Sequence, residues 1–524
     1  TNRAMTSHRP GSASTTVDRL RTLLVRQVPE KVGGRARLKV IALLACVLAL
    51  ESADAATIGA TAPQLEASLN IGNTQVGLLV SVSTGIGAVA TLPAGSLTDR
   101  VNRTGLLAGA IVLWSAALAV GGLSPSYTML LLTRVALGAI VATAGPAVAS
   151  LTGDYFPVSE RGRVYGFVLS GELVGAGVGL LVSGDIAAAL SWRFAFWALA
   201  LPGLALAWVI WRRLPEPARD GSWRLPYGAQ RIRPHKRADD KTVDQQEPVE
   251  DNRAGQQVRE QGVDPRPDLV LHDDPTRKSL WWAVRYVLLI PTNRVLIVSS
   301  ALGFFFFSGL RTFAVVFLRG RYDLGQGTAN MLLFMIGLGA IVGVLAGGRI
   351  ADRLLARHRV SARPAIAGIC FLLAVGLFLP GLSTTVLAIA APLFFLAAAG
   401  LGGANPPLDA ARLDLMPGRL WGRAEAVRTV LRYGLGAAAP VLFGLVSAWL
   451  GGASERDISA HTAGQGAVSA QAAAGLADAF SIMLLPLLVA GLLIVFWARR
   501  TYPRDVATAV ASDEAVRETE EART

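Results

Sequence analysis

Residues 49–57, ALESADAAT, place two carboxylates, Glu51 and Asp54, three residues apart inside a run otherwise suited to a lipid bilayer. A charged side chain at that depth is costly and normally faces a bundle interior or an aqueous path. Glu51 lies twelve residues beyond Lys39, about 18 Å along a helix, and Asp54 about 22 Å; both are deep in a core roughly 30 Å thick. Three residues of helix put the two acids on one face. Adjacent carboxylates in low dielectric do not both ionise cheaply, so one is expected to hold a proton near neutral pH unless a cation approaches. The chemistry open to such a pair is proton exchange. Its plain alternative is a permanent ion pair that only fixes helix packing. The five histidines, His8, His235, His272, His358 and His461, lie outside the apolar runs, so a proton relay here must use carboxylates.

The elements that must hold these groups follow from bulk composition. The 524 residues are 52% hydrophobic, with mean hydropathy +0.45 despite a net charge of +13. A soluble protein of this length would not sustain that value; a polytopic membrane protein would. Apolar runs of about 20 residues, enough to cross a bilayer, lie near 39–62, 76–98, 104–122, 128–151, 163–187 and 193–212, then near 294–318, 328–350, 364–382, 386–411, 425–450 and 479–499. Twelve helical spans are expected. The basic charge sits between them: Arg19, Arg21, Arg26, Lys31, Arg35, Arg37 and Lys39 precede the first. Alternate connections carry Arg100 and Arg103, Arg161 and Arg163, Arg353, Arg357, Arg359 and Arg363, and Arg419 and Arg423; connections 63–75, 123–127 and 383–385 carry none. This positive-inside pattern places both termini in the cytoplasm and accounts for the charge without nucleic acid. The first span follows some 38 basic and polar residues, which marks an anchor rather than a cleaved signal peptide; Met5 is a candidate start. Cys46 and Cys370 fall within spans and read as small core residues.

The sequence 213–278 turns charged and polar, a disordered cytoplasmic linker by composition. Residues 279–293, which carry Trp281, Trp282 and Arg285, read as an interfacial helix or as an extension of the seventh span. On either side the halves resemble each other. GSLTDRVNR (95–103) matches GRIADRLLAR (348–357), setting Asp99 opposite Asp352 and Arg100 opposite Arg353. DYFPVSERGR (154–163) matches DLMPGRLWGR (414–423) in its Asp, Pro, Gly and Arg. Such six-plus-six repeats place substrate at the interface of the halves. At the second offset, Glu172 falls opposite Arg432, each nine residues past its loop arginine and about 14 Å deep. These two charges are expected to line one cavity and hold a zwitterionic or charged head group, with Phe304 to Phe307 as an apolar wall; pairing of Arg432 with Glu425 or Asp409 is the alternative. Arg311 and Arg428 are further intramembrane cations. Asp409 and Arg412 lie within one turn near a span end, as an ion pair or inner gate, and Pro406-Pro407 before them should interrupt the helix. Runs such as GAGVG (175–179) are expected to pack helices closely. No GxxxxGK[ST] occurs, which excludes a phosphate loop, and no catalytic triad or metal-ligand spacing emerges: neither an enzyme nor a bound cofactor is expected.

Gly95, Asp99, Arg100 and Arg103 in GSLTDRVNR resemble the signature loop of the major facilitator superfamily, and Arg134 followed by Gly138 resembles its fourth-span RxxxG motif. NIGNTQVGLL (70–79), and Asp54 nine residues before Pro63, are similar to the Spinster-like branch, whose members move lysolipids and related amphipaths. The chain departs from that branch at Ala55, where a basic residue follows the acid, and at Val141, where an acid follows Arg134. SGELVGAGVG lacks the Gly-Pro pair of drug–proton antiporters. The resemblance implies that Arg134 faces the central cavity beside Asp54 and Glu51. It also implies that Asp99, Arg100, Arg103, Asp352 and Arg353 latch the cytoplasmic side during alternating access.

The expectation is therefore an all-α membrane protein with twelve transmembrane helices in two pseudo-symmetric six-helix bundles, the major facilitator fold. A tail (1–38) precedes the first bundle (39–212); the linker (213–278) and interfacial helix (279–293) lead to the second (294–499) and a cytoplasmic tail (500–524). The function read from it is proton-coupled transport of an amphipathic, lipid-like small molecule by a monomer in the plasma membrane, in contact with membrane lipids and no nucleic acid. The alternatives are a multidrug–proton antiporter and a non-transporting receptor or scaffold. Asp54, Glu51 and Arg134 are the expected proton-coupling residues. Glu172, Arg432, Arg311, Phe304 and Phe307 are the expected substrate contacts, and Asp99, Arg100, Arg103, Asp352, Arg353, Asp409 and Arg412 the gates.

Overall fold

The computed structural model describes residues 35–156, 158–217, 253–275, 278–417, 420–450 and 470–521, which form helices joined by short connections. The expected tail up to residue 34 and most of the linker lie outside them. The first half contains α1 (Arg35–Leu69), α2 (Asn73–Arg100), α3 (Arg103–Gly122), α4 (Tyr127–Val141), α5 (Ala144–Tyr155), α6 (Val158–Ala189) and α7 (Trp192–Arg213). Two short helices follow, α8 (Arg253–Glu260) and α9 (Leu280–Leu289). The second half contains α10 (Pro291–Tyr322), α11 (Gln326–Leu355), α12 (Ala362–Ser383), α13 (Leu387–Gly403), α14 (Asn405–Asp414), α15 (Trp421–Leu450), α16 (Ala470–Leu493) and α17 (Arg499–Glu521), the last two joined by a π-helical turn. Eleven of the described helical stretches are long and apolar enough to cross a membrane, and α6, with its apolar stretch Val174–Ala189, makes the twelfth span. An even number of spans brings both ends to one face, here the terminal face; the opposite one is the far face.

Local chemistry explains the element ends. Asn102 Oδ1 accepts the N–H of Gly105 at 2.6 Å and caps α3; Ser126 and Ser279 do the same for α4 and α9, satisfying donors that have no helical partner. The fourth span breaks at Ala142–Thr143 and the tenth at Ala404. A proline ring excludes the carbonyl four residues back, and Pro146, Pro406 and Pro407 stand four residues beyond Ala142, Gly402 and Gly403. The tenth-span break was legible in the sequence. Its mate in the fourth span, also ahead of a repeated Asp, was not singled out.

Close approach requires small residues. Ideal Cβ atoms on Gly171, Gly175 and Gly179 of α6 would lie 2.3, 2.0 and 2.6 Å from the carbonyl oxygens of Ala45, Ala49 and Ala53 in α1. Only backbone-to-backbone packing of this kind seats α6 directly against the helix that bears Glu51 and Asp54. Gly77 of α2 meets the Pro440 carbonyl of α15 in the same way across the two halves. Cys46, expected in the core, is exposed instead, because it points away from that seam.

Two expected boundaries change. Residues 253–275, counted within the disordered linker, are ordered and packed on α17, which was counted as a tail. Asp505 of α17 is fully buried; it accepts Arg266 Nε at 2.7 Å and the Thr292 N–H at 2.9 Å, tying the strap to the start of α10. Thr508 Oγ1 accepts the Arg266 N–H and Ser512 Oγ that of Leu271. Gln257 Nε2 donates to the Leu355 carbonyl at 2.5 Å, and Arg423 Nη1 to the carbonyls of Pro275 and Lys278. Polar composition reads as disorder only when no partner surface is known. α9 is a separate helix, since Ile290 is extended and Pro291 opens α10. Its Ala283, Tyr286 and Val287 pack on Leu420 and Val427, while Trp281 is 82% exposed.

Replacing Asp505 by Ala should destabilise the second half by about 1–3 kcal/mol, the cost of leaving the buried Thr292 N–H without its acceptor and the half-buried Arg266 without its counter-charge. A lowered melting temperature, with new protease cleavage between 253 and 275, would bear this out; wild-type melting and an uncut strap would remove the strap's structural role.

Candidate functional site

Asp54 faces Arg134: Nη1 donates to Oδ1 at 2.9 Å, and the two residues are 5% and 2% exposed. The bond is single. Nε and Nη2 of Arg134 are buried without a hydrogen-bond partner, and the guanidinium carbon lies 4.8 Å from the centroid of the Phe196 ring. A cation–π contact compensates such a loss only in part. Glu51, one turn earlier, is half-buried and has neither hydrogen bond nor ion pair among the described residues. It borders a cavity of ≈ 30 Å³ with Trp114, Val141 and Thr143, space enough for about one water molecule. So of the expected acids Asp54 is sealed in a pair, while Glu51 and the exposed Glu172 are not.

The second half presents arginines to this corner. Arg311 of α10 feels Glu172, Glu51 and Asp54 electrostatically, Glu172 first among these acids. Arg432 of α15 lies 4.3 Å from the centroid of Phe304, which also makes an edge contact with Tyr433 at 5.5 Å. Glu172 acts on Arg432 too, after Arg428 and Asp409, so the repeat-related pair shares a field without an ion pair among the described residues. The side chain of Glu425 lies outside them. The four-phenylalanine wall is corrected: at 100° per residue, four neighbours cannot share a face. Phe305 and Phe306 are buried against Phe443, and Phe306 also against Phe378 and Phe480. Phe304 and Phe307 remain outside that core, Phe307 at 40% exposed.

The far face holds a polar seam that sequence reasoning missed. Gln326 Nε2 donates to the Ala60 carbonyl at 2.8 Å, and its Oε1 accepts Arg319 Nη1 at 3.0 Å and Gln64 Nε2 at 3.4 Å. Asn330, fully buried, donates to Asp185 Oδ1 at 3.0 Å. Asn73 Nδ2 donates to Ser447 Oγ at 3.1 Å. These bonds join α1, α2 and α6 of one half to α11 and α15 of the other, so the halves are closed on this side. Asp185 and Asn330, polar groups within apolar runs, were the available signal.

On the terminal face Arg103 is buried: Nε donates to Glu216 Oε1 at 2.7 Å, Nη1 to Ser150 Oγ at 3.1 Å and Nη2 to the Pro217 carbonyl at 2.8 Å. Glu216 Oε2 also accepts the Thr104 N–H at 2.8 Å. Burial pulls the pKa of Glu216 up, but the Thr104 and Arg103 bonds outweigh it, and the group lies below its ordinary value. In the second half Asp352 is 3.7 Å from Arg363, which bonds Asp414, as does Tyr502. Arg353, expected in this latch, is exposed and has no ion pair among the described residues. Arg363, which stands to Arg103 as Asp414 stands to Asp154, makes the contact with Asp352 instead. Arg412 Nη2 bonds Asp409 Oδ1 at 2.6 Å, three residues apart on α14. The side chains of Asp99 and Arg100 lie outside the described residues.

Twelve spans in two repeated halves, with charge concentrated at the seam between them, match a known pattern, and a sequence profile described as Major Facilitator Superfamily covers residues 44–440. The chain belongs to the major facilitator superfamily. It is 29% identical over 139 residues to a probable L-galactonate transporter of Escherichia coli (strain K12), a match covering 26% of this chain and 31% of that one. It is 30% identical over 181 residues to human protein spinster homolog 1, covering 34% of each. These matches span about a third of the curated relatives' length. A crystal structure of a bacterial homologue of the human lysosomal transporter Spinster, inward-facing and unoccupied, superimposes with TM-score 0.69 at 20% identity over 90% of this chain and 98% of that one. The Spinster likeness seen at 70–79 thus recurs in both comparisons, and the superfamily's relatives are transporters rather than enzymes.

The seam ties the two halves together on the far face. Gln326→Leu would remove its bonds to the Ala60 carbonyl and to Arg319, worth about 0.5–1.5 kcal/mol each. Spin labels on the connections 70–72 and 384–386 should then report a longer-distance population that the wild type lacks; identical distributions would dismiss the seam as a gate. At the other face, a depressed carboxylate pKa stabilises above the ordinary glutamate value of about 4.3 and is lost as pH falls through the folded value. The melting-temperature gap between wild type and Glu216→Gln should be open at pH 7 and close below pH of about 4; a pH-independent gap would contradict the assignment.

Proposed function

We propose that this chain is a proton-coupled secondary transporter of an amphipathic, lipid-like small molecule, working by alternating access in the plasma membrane with both termini in the cytoplasm. The observation that carries this is the buried, single-bonded Asp54–Arg134 pair. Protonation of Asp54 would remove the one charged group that Arg134 touches, and a buried cation without an anion is unstable by several kcal/mol. Arg134 must then find another anion, and Glu51 lies one turn away on α1. That makes occupancy of the proton site and the arrangement of the first half one equilibrium, as coupling requires.

The amphipathic cargo is supported by the Spinster likeness and by the apolar surface that Phe304 and Phe307 set beside Arg432. The positive-inside charge pattern supports the orientation. Another relative is named as a probable L-galactonate transporter, a cargo class the same uptake assay would detect.

In proteoliposomes, an imposed pH gradient should drive uptake of an amphipath such as a lysolipid. Asp54→Asn should abolish the gradient dependence while leaving exchange of pre-loaded substrate measurable. Unchanged gradient dependence in Asp54→Asn would take this residue out of the coupling. Transport of cationic drugs but no lysolipid would favour the multidrug antiporter.

A further inference from the structure

The short helix α9 divides cleanly by burial. Ala283, Tyr286, Val287 and Ile290 are buried, whereas Trp281, Arg285 and Leu289, each four residues after the last, are exposed. At 100° per residue the exposed three fall on one face and the buried four opposite. The buried side meets Ile297 of α10 and Leu420 and Val427 of α15. The strap covers a further side: Leu269 and Leu271 pack against α9, and Tyr286 Oη donates to the Leu269 carbonyl at 2.9 Å. Asn293 Nδ2, at the start of α10, donates to the Val287 carbonyl at 2.9 Å and fixes α9 to the bundle. The face of Trp281, Arg285 and Leu289 is left uncovered among the described residues.

That face does not suit water. Trp281 is 82% exposed, Val284 and Leu288 flank it half-buried, and α9 carries no acid; a solvated helix face is charged and polar. Its level suits a membrane surface. The spanning helix α10 opens at Pro291, two residues after α9 ends. Thr292 Oγ1 lies 2.5 Å from Thr501 Oγ1, so the junction of α16 and α17 stands at the same level. Phe496 and Trp497 are exposed at that junction and are followed by exposed Arg499 and Arg500, an order that marks the boundary of a bilayer. Arg285, in the middle of the uncovered face, and Arg294, in the first turn of α10, are exposed with neither hydrogen bond nor ion pair among the described residues. Acids of the adjoining elements are engaged elsewhere: Asp273 with Lys278, and Asp505 with Arg266 and the Thr292 N–H. Guanidinium forks match phosphate oxygens, and a tryptophan ring prefers the head-group level.

We propose that the outer face of α9 is a docking surface for acidic phospholipids in the leaflet of the terminal face. Trp281 and Leu289 enter the boundary between head groups and acyl chains, and Arg285 and Arg294 take the lipid phosphates. A zwitterionic lipid offers the same phosphate with a cation attached, so lipids of net negative charge are preferred. The strap and α15 hold α9, and α10 continues from it; lipid bound here therefore seats the start of the second half at a fixed depth. The inference rests on the chain spanning a membrane and is independent of what it transports.

Depth and lipid choice are measured separately on the purified full chain. With Cys46 and Cys370 replaced by serine, a spin label is placed at position 281 in nanodiscs of phosphatidylcholine and phosphatidylglycerol, and in a second sample at 260, exposed on α8. The label at 281 should be relaxed more by oxygen, which partitions into lipid, and the label at 260 more by a water-soluble nickel chelate. Titration of the detergent-purified chain with short-chain phosphatidylglycerol or phosphatidylcholine, read by native mass spectrometry, should show the first phosphatidylglycerol binding more tightly. Arg285→Gln and Arg294→Gln should each weaken that binding about fivefold and leave phosphatidylcholine binding unchanged, and Arg285→Lys should retain most of it. Inorganic phosphate should not displace the lipid. Equal affinity for the two lipids, displacement by inorganic phosphate, or unchanged phosphatidylglycerol binding in both folded glutamine variants would overturn the proposal. So would a label at 281 relaxed chiefly by nickel, which would leave this face to a soluble protein partner.

Discussion

An ionised group in hydrocarbon must find a counter-charge or water, and this chain's central region is organised by that requirement. Asp54 and Arg134 meet it for each other, but with one hydrogen bond where the guanidinium has donors to spare. A saturated pair would be a rivet. This one leaves Nε and Nη2 of Arg134 unsatisfied beside Phe196, so the pair has an incentive to rearrange once the carboxylate is neutralised. Its position is fixed by sterics rather than by charge: the glycines of α6 let its backbone touch α1 at Ala45, Ala49 and Ala53, and α1 then has a single way to present Asp54 inward.

The two ends of the bundle solve a different problem. The halves meet both by close backbone contact, Gly77 on Pro440, and through polar groups. On the far face the solution is amides: Gln64, Gln326 and Asn330 bond a carbonyl, an arginine and a carboxylate, and water can replace each such bond at small net cost. On the terminal face each half ties its own helix ends. Arg103 with Glu216 does so in the first half, and Arg363 with Asp414 in the second. Each of these ties joins helix ends within one half and does not cross to the other.

The connection between halves is part of this division of labour. Its ordered stretch 253–275 belongs physically to the second half, through Asp505, Thr508 and Ser512 of α17 and through Leu355. It braces the start of α10, the helix bearing Arg311, Phe304 and Phe307. The first spanning helix of the second half is therefore held from outside the membrane-spanning bundle.

Hydropathy, charge alternation and the repeated Asp-Pro-Gly-Arg motifs determined the span count, the two-half architecture and the family, because each is a one-dimensional pattern imposed by a bilayer or by duplication. That Glu51, Asp54, Arg134, Glu172, Arg311 and Arg432 stand within apolar runs was legible for the same reason. Pairing was not legible, because a contact depends on helix rotation and on the packing of helices far apart in sequence. Only the tertiary structure showed that Arg363 rather than Arg353 joins the Asp352 cluster, that Phe305 and Phe306 turn into the core, and that Gln326 and Asn330 bridge the halves. Only folding, too, gave 253–275 a surface to order against, since a polar strand of chain is structured by its partners and not by its own composition.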